Sequence, residues 1–172
     1  MAQRTLARRP VLLVAAVIAA VTAFGALTGA LVPELAPGRT PHRTLHGTLG
    51  EAAVIALQNA STLIVALALC AGRWSTHRLT RRLGDVIVTA IVVFNALLVG
   101  VALGRYSTQL LAYLPHLPLE DVALSTAAAA WLTHRRGEFG RPRRSVARYA
   151  AVTAALTALA ALVETYAVPH KG

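Results

Sequence analysis

The chain has 172 residues, of which 56% are hydrophobic and 14% charged, with a formal net charge of +10 and a mean hydropathy of +0.58. Soluble domains carry about 25% charged residues, so charge this sparse cannot cover a globule in water, and the apolar excess excludes intrinsic disorder. The single cysteine, Cys70, excludes a disulfide framework.

A helix needs about 20 apolar residues to cross a bilayer, and five stretches meet or approach that length. The first, residues 11–32, holds no charge and follows Arg4, Arg8 and Arg9. It is longer than a usual signal-peptide core and further spans come after it, so an uncleaved helix is expected. The second, residues 50–72, has Glu51 at its outer end and Gln58 and Asn59 about two turns deeper. The third, residues 85–104, places Asn95 near mid-membrane. Residues 105–116, RYSTQLLAYLPH, are only partly apolar, with Tyr106 and Tyr113 suited to the interface. Together with Pro115 and Pro118 they predict a short interfacial or re-entrant helix that returns the chain to the next span. The fourth span, residues 118–133, opens on Glu120 and Asp121, and the fifth, residues 149–168, carries Glu164 near its end. Alanine makes these last two only mildly hydrophobic. The expected architecture is all-α, a single transmembrane domain over residues 1–172 with five helices in a bundle. Gly25 with Gly29 and Gly100 with Gly104 form GxxxG patterns, and Ala150, Ala154 and Ala158 repeat the spacing in the fifth span; small residues so spaced let helices approach closely in lipid.

The basic residues orient the bundle. Thirteen of the seventeen precede the first span or lie in the second-to-third and fourth-to-fifth connections, against Arg39, Arg43, Arg105 and Lys171 on the other side. The positive-inside rule then predicts a membrane protein with its N-terminus cytoplasmic and its C-terminus outside. A nucleic-acid partner is not expected, because no basic face interleaved with aromatics and no binding module occurs.

With this topology Glu51, Glu120, Asp121 and Glu164 all sit at outer helix ends, with His116 just before the fourth span. Ionisable groups inside a membrane are expensive and mark functional sites, so the outer half is where a site is expected. Plainer roles compete: Glu120 and Asp121 complement a helix dipole, Asn59 and Asn95 bond neighbouring helices, and His42, His46 and His170 are solvated loop residues.

The run Phe94-Asn95-Ala96-Leu97-Leu98-Val99-Gly100, an aromatic interfacial stretch, and then Pro115-His116-x-x-x-Glu120 resemble the stage II sporulation protein M family of bacterial membrane proteins. In that family an Asn-Gly-x-x-x-Gly span precedes Pro-His-Gly-x-x-Glu at the head of the next helix; Ala96 and Leu117 stand here where the family has glycine. Gln58-Asn59 resembles the preceding Asn-containing helix, so the likeness runs from residue 58 to 131. Members occur beside peptidoglycan-remodelling machinery and in clusters for small ribosomal peptides, notably circular bacteriocins. The resemblance implies that setting and singles out Asn59, Asn95, His116 and Glu120.

Two classes of function follow, and whether the chain is an enzyme stays open between them. In the first, an intramembrane peptidase matures a small exported peptide, with Glu120 as general base, His116 as proton shuttle, and Asn59 or Asn95 as oxyanion donor. Glu51 and Glu164 complete a substrate-binding set on the same side. The paired-Glu-to-Arg motif of glutamate intramembrane proteases is absent, and Ser125 has no lysine partner in any span. In the second class the chain is a non-catalytic scaffold, or an export or immunity subunit, that binds a membrane partner or another copy of itself through its helices. A zinc-dependent peptidase is a further alternative, drawing on His42, His46, His116 and Glu120. With no HExxH motif in the chain, no metal or other cofactor is expected.

Overall fold

The computed structural model describes residues 8–32, 48–71, 77–111, 115–139 and 142–167. The regular structure among the described residues is five α-helices: α1 (Arg8–Leu31), α2 (Leu49–Ala71), α3 (Arg78–Leu111), α4 (Leu117–Arg135) and α5 (Pro142–Ala167). Four are long and apolar enough to cross a membrane, over Arg9–Leu31, Leu49–Cys70, Arg78–Tyr106 and Arg143–Tyr166. Their outward faces carry large apolar side chains, with Leu12 67%, Leu57 69% and Phe94 62% exposed. Apolar surface this continuous is solvated by lipid, and the chain is a multi-pass helical membrane protein.

α4 is the exception, and its position explains its composition. It touches each of the other four helices, and residues 123–131 are buried without a break. Two and a half turns buried on every side make it the axis of the bundle. Its alanines are therefore a packing solution, since a helix ringed by helices has room for methyl groups and no need of lipid-facing leucine. Gly137, at φ 70°, stops it. The N–H of Glu138 reaches back to the Thr133 carbonyl at 3.1 Å and that of Gly137 to His134 at 3.0 Å, the paired bonds of a Schellman ending.

α1 and α3 form the closest pair. A Cβ on Gly100 would strike the Thr22 carbonyl oxygen and come within 2.9 Å of the Gly25 Cα; one on Gly104 would strike the Ala26 carbonyl. Residue numbers rise together along this contact, so the two helices are parallel. Gly104→Leu is expected to force them apart and to cost about 1–3 kcal/mol or more. Gly50→Ala, beside which only the Thr48 hydroxyl lies at 3.9 Å, is expected to be neutral. Thermal unfolding in detergent compares the two.

The boundaries depart from the sequence reading in two places. α3 begins at Arg78 and continues to Leu111, so residues 105–111 extend the third helix and do not form a separate interfacial one. No proline or glycine interrupts them, and an established helix propagates through polar residues at little cost. α5 begins at Pro142, seven residues before the expected start; proline suits a first helical position because its missing donor would be unpaired there anyway.

α3 and α4 are antiparallel and joined at one end. Asp85 accepts a hydrogen bond from Trp131 Nε1 at 3.0 Å and pairs with Arg135 Nε at 3.2 Å. The Trp131 ring lies directly on Gly84, where any side chain would displace it. From Trp131 the rings of His134, Phe139 and Tyr149 follow, each centroid 5.8–5.9 Å from the next.

Candidate functional site

Four helices, α2 to α5, and the turn before α4 build the polar site. α2 starts with a capping box: the Thr48 N–H donates to Glu51 Oε2 at 3.1 Å and the Glu51 N–H to Thr48 Oγ1 at 3.2 Å. The Thr-x-x-Glu spacing satisfies two backbone donors reciprocally, which gives Glu51 a local structural role. Asn59 follows ten residues beyond Leu49, about 15 Å along the axis, at the midpoint of α2.

α4 starts beside that midpoint. His116 occupies its N-cap position with helical backbone angles, φ −83° and ψ −21°, and no capping bond from its side chain. Its carbonyl accepts from the N–H groups of Leu119 at 3.0 Å and Glu120 at 3.2 Å. One turn on, Glu120 Oε1 accepts a hydrogen bond from Asn59 Nδ2. That bond fixes the depth of the site. The first turn of α4 lies about three turns from the N-terminal end of α2. At the opposite end of α4, Trp131 stands eleven residues from Glu120, about 16 Å away. The site is therefore level with the middle of α2 and, through Glu164, one turn from the C-terminal end of α5.

A ring nitrogen of His116 and a carboxylate oxygen from each of Glu120 and Glu164 lie within 4.8 Å of one another. His116 is only 8% exposed, and its Nδ1 is buried with no hydrogen-bond partner among the described residues. Glu120 and Glu164 are half-buried. Glu120 also opens onto a cavity of about 90 Å³, whose polar lining is Asn59, Thr62, Asn95, Glu120, Asp121 and Thr157. A volume of that size admits several waters. Asn95 spends one N–H on the Ile91 carbonyl of its own helix at 2.8 Å, which leaves the second available to the cavity.

Of the residues singled out by sequence, the structure gathers two sets that share Glu120: Asn59 and Asn95 line the cavity with it, and His116 and Glu164 lie beside its carboxylate without lining that cavity. Glu51 is two turns or more from Asn59 on the same helix, in its capping box. His42, His46 and His170 lie outside the described residues. Thr62, Asp121 and Thr157 join the lining without having been foreseen as such. For Thr157 a signal existed: Thr153 and Thr157, four apart in an alanine-rich helix, are both buried and mark the inward face of α5.

No family model, no curated protein and no solved structure matches the chain.

Proposed function

We propose that this protein crosses the bacterial cytoplasmic membrane five times, with α4 as the fifth, protein-wrapped crossing, and hydrolyses a small precursor peptide destined for export. The basic connections put the N-terminus in the cytoplasm and the C-terminus outside. Glu120 is the general base that activates a cavity water, and His116, one turn before it, moves the proton to the leaving group. The second N–H of Asn95 stabilises the developing oxyanion, while Asn59 orients the Glu120 carboxylate. The observation that carries this reading is the Glu120 carboxylate level with the middle of α2, held by Asn59 and opening onto a cavity that Asn95 and Thr157 also line. A carboxylate kept at that depth is costly unless it is used. The resemblance to the stage II sporulation protein M family supplies the setting, clusters for small ribosomal peptides.

The test is incubation of the purified protein in detergent with precursor peptides encoded beside its gene, read by mass spectrometry. A defined cleavage product that is lost in His116→Ala is expected. Topology is checked separately by labelling single cysteines at residues 3 and 171 in whole cells, where only the second is expected to react with an impermeant reagent. A second reading, a non-catalytic scaffold or immunity subunit, draws on the same Asn59–Glu120 bond, which also ties α2 to α4. Co-purification of one membrane partner without product would favour it.

A further inference from the structure

We propose that His116, Glu120 and Glu164 bind one divalent transition-metal ion of the zinc class. The donors come from a turn and two helices, separated in sequence by up to 48 residues, yet their ligand atoms all lie within 4.8 Å of one another. Around an ion with bonds of about 2.0–2.2 Å, neighbouring ligand atoms stand about 3.4 Å apart. Closing the cluster on an ion therefore takes roughly 1 Å of side-chain adjustment, within reach of small rotations of two Glu side chains.

Two further observations point to a ligand. Among the described residues the Nδ1 of His116 is buried without a partner, in a residue 8% exposed. Buried polar atoms are ordinarily satisfied, and a cation bound at the ring is one partner that would satisfy it. Glu120 and Glu164 also bring two carboxylates within 4.8 Å of each other and of the His116 ring, a spacing that one ion can bridge. The Asn59 amide on Glu120 Oε1 leaves the second oxygen of that carboxylate for an ion and fixes its orientation, as partners of metal ligands do. One imidazole with two carboxylates is a donor set for zinc and its first-row neighbours. Three protein ligands leave positions open for water.

The proposal rests on the hydrolytic reading of the same site and gives Glu120 and His116 a different task there: as ligands they would hold the ion, and the ion would activate the water. Ion binding is measured without substrate, so the two ideas fail separately. The full chain in detergent is stripped with a chelator, then titrated with Co2+ under d–d absorption and with Zn2+ against a chromophoric chelator. One equivalent is expected to bind, and Glu164→Gln and His116→Gln are each expected to weaken it at least about 10-fold, since even groups that merely support ligands are worth about 10–100-fold. His77→Ala, an exposed residue at the other end of the bundle, is expected to leave affinity unchanged. Zn2+ is also expected to raise the unfolding temperature of the wild-type protein and not that of Glu164→Gln, with gel filtration confirming that each variant is folded. The proposal is overturned by folded wild-type protein that gives no Co2+ spectrum, or by wild-type affinity in both ligand variants. Binding lost only when His42 and His46 are replaced would also overturn it. Cleavage by stripped protein that binds no Co2+ overturns the metal site alone, whereas Co2+ binding with no cleavage upholds it and removes the hydrolytic reading.

Discussion

Glu120→Gln is expected to slow precursor cleavage by about 10²–10⁴-fold, the contribution of a positioned general base, and to leave the protein folded. Gln has the size of Glu, and its carbonyl still accepts the bond that Asn59 donates to Glu120, so the tie between α2 and α4 survives. What it loses is the negative charge and the ability to take a proton. Initial rates by mass spectrometry, with circular dichroism and gel filtration as controls for folding, separate the chemical loss from a structural one. Full turnover in the variant would remove Glu120 from the chemistry. Asn59→Ala is the companion measurement: it keeps the base and releases its orientation, so a smaller loss is expected than with Glu120→Gln.

Trp131→Ala is expected to produce the largest loss of stability, about 3–5 kcal/mol by analogy with other buried aromatic truncations. The side chain is 2% exposed and lies on Gly84, so its removal leaves a void between α3 and α4 that backbone cannot fill. It also withdraws the Nε1 donor from Asp85, leaving that carboxylate to Arg135 alone. Trp131→Phe separates the two effects, because it retains most of the ring and loses the donor; a cost of about 1–2 kcal/mol is expected from the missing bond to a charged group. Equilibrium unfolding in mixed micelles measures both. Equal destabilisation by the two variants would mean that the Asp85 bond, and not the packing, holds this end of the bundle.

Much of the fold was legible because lipid imposes a strong rule: a helix facing it must be apolar over about 20 residues. α1, α2 and the core of α3 satisfy that rule in the sequence itself. α4 does not, and the reason is physical. Alanine is weakly hydrophobic yet suits a helix surrounded by other helices, so hydropathy understates the most buried helix in the molecule. The GxxxG patterns were also readable, but not their pairing; Gly25 against Gly100 is a tertiary fact. The site residues were visible one by one as polar groups within apolar runs. Their depth was not, because it depends on where α4 starts beside α2, and that is fixed by the bond between Asn59 and Glu120. Asp85 looked like a simple span boundary, since nothing near it in sequence points to a tryptophan 46 residues away.

The alanine-rich axis has a consequence for how the protein is made. During synthesis each segment is tested by the insertion machinery for its preference for lipid over water, and α1, α2 and α3 pass on their own composition. α4, bounded by Glu120 and Asp121 at one end and by His134 and Arg135 at the other, offers too little to be retained alone. It is expected to enter together with α5, as a hairpin closed at Gly137, and to dock among the other helices. The polar site is then complete only once α4 has docked, when Glu120 first meets Asn59.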